Sequence, residues 1–407
     1  VKIKGWLKKD ANSYIVMPRI HKFLRDNKLG SINFRTEGIQ LIENFSENSL
    51  ESKEKVNIWL DECVKEGIKY LYVTKFYFNK NINLYKSELF WKEFLDKYNL
   101  KKNIHVNEYI ENNTLNYKSI KLVYDNGLIS HINIIMALNC LDANSSYEHP
   151  IKENYPIFVD LDIDKEIIIV RLKSKSKIYE IKVDEDEQDC IDLNKKISCD
   201  KIVNRVINKM CEDIDLTKME QGQFCNEMQC AYFKVLDEIT KTPKEIKDKI
   251  DKFKEDNTNY IENMISKTQI SPSKYSQIIE KDLNILLEKF ISISYTDKSI
   301  FKTKYAFPIK LIATDSEDTK VEETASDYQP LQTKAAFYDH KKIINEEQKC
   351  EGMTLAAYRK DTTYYGKRPF TVKCDLLELK GLARIRFMEY VEEEDIQNVL
   401  SRIISFL

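Results

Sequence analysis

Thr242-Pro243-Lys244-Glu245 and Ser271-Pro272 decide how the chain is divided. In the first, a hydroxyl at the N-cap position precedes a proline at the first helical position, and a glutamate is placed to close a capping box. The second repeats the cap-plus-proline device. Between them, Ile246, Ile250, Phe253, Tyr260 and Met264 follow three- and four-residue steps, with Asn257 filling the gap. After Pro272, residues Tyr275, Ile278, Ile279, Leu283, Leu286, Leu287 and Phe290 continue the same period. Apolar residues at that spacing line one face of an α-helix. The spacing predicts two long amphipathic helices joined by a short turn, an antiparallel hairpin inside a helical stretch that starts near Lys201.

Outward from this hairpin the pattern changes to sheet on both sides. Upstream, Ser119–Tyr124 and Leu128–Met136 flank Asp125-Asn126-Gly127. Asn-Gly between strand-like runs is a strong hairpin signal, because both turn positions favour positive φ. Ile157–Leu161, Glu166–Leu172 and Lys177–Val183 predict further antiparallel strands. Downstream, Tyr305–Ala313, Ala335–Tyr338, Met353–Tyr358, Phe370–Leu379 and Ala383–Tyr390 read as strands, and Glu393–Leu407 as a closing helix. Residues 1–116 alternate helix and strand patterns: a helix near Pro18, a short strand at Ser31–Phe34, a helix ending before Gly67, and the aromatic strand Ile68–Phe78. The fold class expected is α+β: a mixed N-terminal domain (1–116), an antiparallel sheet region (117–200), a helical hairpin or bundle (201–296) and a β-rich C-terminal domain with a terminal helix (297–407).

Composition narrows the function classes. The 407 residues are 42% hydrophobic and 32% charged, with only 9 Gly and 8 Pro. That supports ample core and excludes low-complexity or collagen-like character. Net charge is -2, so a nucleic-acid contact would have to come from a local patch. No apolar stretch is long enough to cross a membrane and no apolar leader is visible, so a cytoplasmic protein without membrane contact is expected. Nine cysteines without a Cys-x-x-Cys read as reduced thiols. No Gly-x-x-x-x-Gly-Lys, Gly-x-Gly-x-x-Gly or Gly-x-Ser-x-Gly occurs, so phosphate loops, dinucleotide turns and a nucleophile elbow are absent.

Three groups of residues could carry chemistry. Alternation along a strand would put Arg171, Lys173, Lys175 and Lys177 on one face, with Tyr179 in the same parity. Cations about 6–7 Å apart match the spacing of phosphates along one nucleic-acid strand. Arg359, Tyr365 and Arg368 add an aromatic and basic segment suited to single-stranded nucleic acid. Asp361 followed by Glu378-Leu379-Lys380 has the form of a metal-dependent nuclease site, in which two carboxylates hold Mg²⁺ and the lysine activates water. This pattern resembles the PD-(D/E)xK nuclease superfamily over about twenty residues. No Pro-Asp precedes the gap, however, and a strand follows where that superfamily has a helix. The resemblance implies Asp361, Glu378 and Lys380 as catalytic residues and Mg²⁺ as the only cofactor. Without it, no cofactor or resident metal is expected.

The leading expectation is a nucleic-acid-binding module acting through the basic strand face within a larger assembly. The alternatives are a scaffold or partner subunit using the hairpin 243–293 for a protein partner or for self-association, and the nuclease.

Overall fold

The computed structural model describes residues 1–9, 13–100, 104–109, 115–144, 151–181, 196–268, 272–314, 320–325, 328–361 and 366–407. The chain mixes helix with antiparallel sheet, as an α+β protein does. It divides into two compact units, one formed by Val1–Phe224 with Leu379–Ile396 and the other by Cys225–Glu378 with Gln397–Leu407.

In chain order the first unit contains α1 (Gly5–Lys8), α2 (Met17–Asp26), α3 (Arg35–Ser46), α4 (Leu50–Lys65), β1 (Lys69–Phe78), α5 (Ile82–Tyr85) and α6 (Glu88–Lys97). There follow β2 (Asn116–Asp125), β3 (Leu128–Asp142), β4 (Ile151–Asp162), β5 (Ile167–Lys173), β6 (Ile178–Glu180), α7 (Cys199–Ile214) and β7 (Leu216–Lys218). The bulk of α8 (Gln221–Ile239) opens the second unit, with α9 (Lys244–Asp251), α10 (Lys254–Thr268), α11 (Pro272–Ser294), β8 (Ala306–Thr314), β9 (Lys320–Thr324), α12 (Ala335–Glu347), β10 (Gly352–Ala357) and β11 (Phe370–Leu377). The chain then returns to the first unit for β12 (Leu382–Phe387) and the start of α13 (Glu393–Ile404), whose remainder belongs to the second.

The first unit is organised by a sheet in the order β2-β3-β4-β5-β1-β12, with β6 on β3 and β7 on β1. Its neighbouring strands are antiparallel. The β2–β3 hairpin turns at Asn126 (φ 49°) and Gly127 (φ 80°), the positive-φ pair that the Asn-Gly signal requires. One face of the sheet is covered by the N-terminal helices. Ile20 and Phe23 of α2, Ile39 and Ile42 of α3 and Trp59 and Leu60 of α4 share one buried cluster with Ala137 of β3 and Phe158 of β4. Ser49 caps α4 by accepting from the Ser52 amide, and Gly67 beyond its end has φ 97°. The second unit carries the antiparallel order β11-β10-β8-β9.

Four expectations are corrected. Ser31–Phe34 forms no strand. Ala335–Tyr338 is the first turn of α12, whose buried Phe337, Tyr338 and Ile344 follow a helical step that a four-residue window cannot display. Glu378–Lys380 is a 3-10 turn that follows β11. The first arm of the helical hairpin is two helices, α9 and α10, broken at Lys252-Phe253, a break that the apolar series, which runs on through Phe253, does not mark.

Candidate functional site

Strand β5 places its cations as alternation requires, but the face they occupy is not open. Arg171 stands opposite Leu71 on β1 and Phe158 on β4, and Lys173 stands opposite Lys69. Phe158 lies in the cluster beneath the N-terminal helices, so the row points into that layer. Arg171 is 0% exposed, Lys173 7% and Lys175 4%. The expected solvent-facing row of Arg171, Lys173 and Lys175 is therefore corrected: these cations are interior groups. Lys177 is half-buried. Tyr179, the expected stacking surface, is buried in a small apolar cluster with Leu141, Ala143 and Ile181.

Buried cations persist only when paired, because removing a charge from water costs far more than any one contact returns. Each cation here has its partner. Arg171 bonds the Glu393 carboxylate, reaching its second oxygen at 3.3 Å, with Asp160 at 3.9 Å. Lys173 donates to the Ser13 carbonyl and lies 4.8 Å from the centre of the Tyr14 ring. Lys175 bonds Asp142 at 3.1 Å and Glu153 at 2.6 Å, and it lies 4.7 Å from the same ring. Lys9 enters from beyond α1 and bonds both Asp142 and Glu153. Tyr14 donates to Glu153 at 2.9 Å. Lys69 donates to the Val64 carbonyl.

Asp142 and Glu153 thus sit among the amines of Lys9, Lys173 and Lys175, and burial together with these neighbours moves the protons. Burial, reinforced by the charge of Lys175, pushes the Lys173 amine down to about 7. Burial and the neighbouring Lys173, Arg171 and Lys175 hold the Lys69 amine well below the usual lysine range. Burial works against the Lys9 ammonium too, but Glu153 and Asp142 more than reverse it and raise its pKa. Burial alone would raise the Asp142 pKa, and Lys175 and Lys9 instead hold it well below the usual carboxylate range. A neutral amine can act as nucleophile or base. Lys173, however, is packed against a carbonyl and a ring, which suits a structural role.

A second ionic group joins the α2 and α4 helices to the segment before α13. The buried Arg19 guanidinium reaches Glu62 at 2.5 Å, Glu66 at 3.3 Å and Glu392 at 3.6 Å. Burial pushes the Glu66 carboxyl up to about 7 even though Arg19 opposes it.

The other sequence candidates are dispersed or engaged elsewhere. Tyr365 lies outside the described residues. Arg359 stacks over the Phe370 ring at 5.2 Å and Arg368 over Tyr328 at 5.5 Å, which engages both guanidinium planes. Asp361 and Glu378 are exposed. The Lys380 ammonium bonds Asp200 at 2.9 Å. Glu378 and Lys380 sit on a 3-10 turn and not on the strand that the nuclease pattern assumes. Among the described residues, no group of three His, Cys, Asp or Glu side chains is placed to hold a metal ion. The eight described cysteines are free thiols.

The helical arm exposes a row of apolar side chains. On α11, Leu283 and Leu287 are half-buried, while Ile278, Leu286, Phe290 and Ile293 are exposed, Phe290 by 62%. At 100° per residue these four fall within about a third of the helix circumference. They extend over about 22 Å of helix. Asp282 lies in the same stripe and is paired with Lys342 of α12 at 2.8 Å. The sequence period marked all these residues as apolar-face positions. It could not show that the face is wider than its cover.

No protein family, no curated protein and no solved structure matches this chain.

Proposed function

We propose that this chain is a self-associating interaction protein whose helical arm, residues 244–294, docks a second copy of itself through α11. The observation that carries this reading is the exposed apolar stripe Ile278, Leu286, Phe290 and Ile293. Isolated exposed apolar residues are ordinary, but a row along one helix, here interrupted only by the paired Asp282, favours a contact surface. Two features favour a second copy as the occupant. An antiparallel two-fold contact centred on residue 284 sets Ile278 against Phe290 and Ile293 against the exposed Tyr275, while Leu286 meets Asp282, which Lys342 already pairs; the first two pairs give the self-complementarity an isologous interface needs. The net charge of -2 on 407 residues also leaves little long-range repulsion between copies.

The nucleic-acid reading would now rest on Lys177, Arg359 and Arg368, since the other cations of the basic strand are paired in the interior. The nuclease reading would need Lys380 to leave Asp200.

Sedimentation velocity of the full chain over a wide concentration range tests the proposal. Dimer should appear in the wild type, and Ile278→Asp and Phe290→Asp should each shift it to monomer while leaving the circular-dichroism spectrum unchanged. A wild type that is only monomeric at high micromolar concentration sinks the idea.

A further inference from the structure

Residues 104–109 pack on helix α4 as a short strap built round a 3-10 turn, Val106–Glu108. Val106 and Tyr109 are each 1% exposed and belong to the buried cluster of α2, α3 and α4. The Val106 amide donates to Asp61 Oδ1 at 2.8 Å. Asn107 accepts from the Lys4 amide at 2.9 Å and donates to the Lys2 carbonyl at 3.1 Å, and the Lys4 ammonium donates to the Tyr109 carbonyl at 2.5 Å. The strap therefore holds residues 2–4 in place as well as itself.

His105 joins this strap to two carboxylates of α4. Its Nδ1 lies 2.7 Å from Asp61 Oδ2 and its Nε2 3.2 Å from Glu54 Oε1. An ionised carboxylate only accepts, so both ring nitrogens have to donate, and a ring that donates from both is an imidazolium. A neutral ring has one N–H and would turn a lone pair towards the other carboxylate. Glu108 of the strap adds a third negative charge near the ring, and the cation Lys4 reaches the strap at Tyr109. Burial works against the charged ring, but Asp61, Glu54 and Glu108 more than reverse it and raise the His105 pKa above its usual 6.5.

We propose that residues 104–109 form a proton-controlled strap, tightened on α4 while His105 bridges Asp61 and Glu54 as an imidazolium and loosened when the ring gives up its proton. The neutral ring keeps at most one of the two bonds and loses its attraction to both charges. A detached ring titrates near 6.5, so the hold is fully present below that pH and is lost as pH rises through the higher pKa of the docked ring. For each unit between the two pKa values, the ratio of loosened to docked strap rises about tenfold from the protonated to the neutral limit. At the acid end the hold fades when Asp61, whose pKa burial raises, takes up a proton. Loosening would free residues 2–4 and uncover Val106 and Tyr109. The proposal is independent of self-association, because α11 belongs to the other unit.

Nitrogen-15 labelling of histidine in the full chain gives the direct reading by NMR, since only 5 histidines contribute. At about pH 6 both His105 nitrogens should carry protons, and the ring should titrate above 6.5. His105→Gln identifies the signals, and Asp61→Asn should lower the pKa of the ring it faces. Hydrogen exchange read by mass spectrometry, corrected for the intrinsic effect of pH, tests the strap itself. Relative to the amides of α4, those of residues 104–109 should open several-fold more at about pH 9 than at about pH 6. His105→Gln should make that opening independent of pH. If this variant fails to fold, Asp61→Asn assigns the ring, and the wild-type titration and exchange decide alone. A His105 ring that titrates at or below 6.5, strap amides with the same corrected exchange at both pH values, or a pH dependence that survives in His105→Gln would each overturn the proposal.

Discussion

Lys173 shows what burial does to a charge that sequence places on a surface. Its folded pKa near 7 lies below the unfolded value of 10.5. Between those values the unfolded chain binds more protons than the folded one, so this group makes stability rise with pH, by up to about 1.4 kcal/mol per pH unit. The penalty is fully present below pH 7 and fades above it. Lys69 acts in the same direction. Other groups pull the opposite way. Glu66, raised from 4.5 to about 7, makes stability fall with pH across that lower window, and buried thiols such as Cys63, pushed up to about 12, do so above their unfolded value of 9.0. The contribution of Lys173 is therefore isolated by comparison with Lys173→Met. From pH 7 to 9 the wild type should gain stability relative to the variant, read from urea midpoints at each pH. A constant difference would mean that the amine is charged throughout. The carboxylates are the complementary case. Glu153→Gln leaves Lys9 and Lys175 sharing Asp142 alone, and breaking a buried network of this kind costs about 3–5 kcal/mol. Removing the exposed Lys310–Glu322 pair should leave the midpoint nearly unchanged. Equal midpoint shifts from the two changes would contradict the burial argument.

At the scale of elements, helix α3 makes a prediction that runs against propensity. Gly38 lies in its interior, where alanine normally stabilises by about 1 kcal/mol. A Cβ on Gly38 would stand 2.5 Å from Ile32 Cδ1 and would also collide with Ile20 Cγ2 of α2. Ile20 is fully buried, so the helices would have to separate. Gly38→Ala should therefore destabilise by about 1–3 kcal/mol, the usual cost of overpacking, and thermal melts would reveal a gain instead if the helices yield. This close approach could not be seen in the sequence, where Gly38 is one small residue in a helical run. Local signals were legible where the cause is local. Asn126-Gly127 announces a turn because the φ values it needs belong to those two residues. The apolar steps of α11 announce a helix for the same reason. The β5 cations show the opposite case. Alternation correctly puts Arg171 and Lys173 on one face, but their partners Glu393 and Ser13 are more than a hundred residues away in sequence. A pattern internal to a strand identifies a face and is silent about what covers it. The same limit hides the Thr242 cap, which is lost to an acceptor on α11, and the site cluster at Asp142 and Glu153, whose cations arrive from Lys9 and Lys175.

For the whole molecule, the disposition of charge and apolar surface decides which partners are favoured. Many of the cations that could have formed a nucleic-acid surface are neutralised inside the first unit, and the net charge is small. Among the exposed apolar side chains, those of α11 fall in one row along a single helix. Association through such a stripe has a thermodynamic signature that differs from electrostatic binding. If the folded dimer is the stable species, unfolding releases two chains, and stability rises with protein concentration by mass action, about 1.4 kcal/mol per mole of dimer for each tenfold increase. The unfolding temperature of the wild type should therefore climb across a hundredfold concentration series and change little between low and moderate salt, since burial of apolar side chains releases no bound counterions. Phe290→Asp should flatten the concentration dependence, because a carboxylate set against Ile278 in the two-fold contact faces an apolar partner without a cation to receive it. A melting temperature independent of concentration in the wild type would remove self-association. A dependence on salt but not on Phe290 would move the contact from α11 to a charged surface elsewhere on the chain.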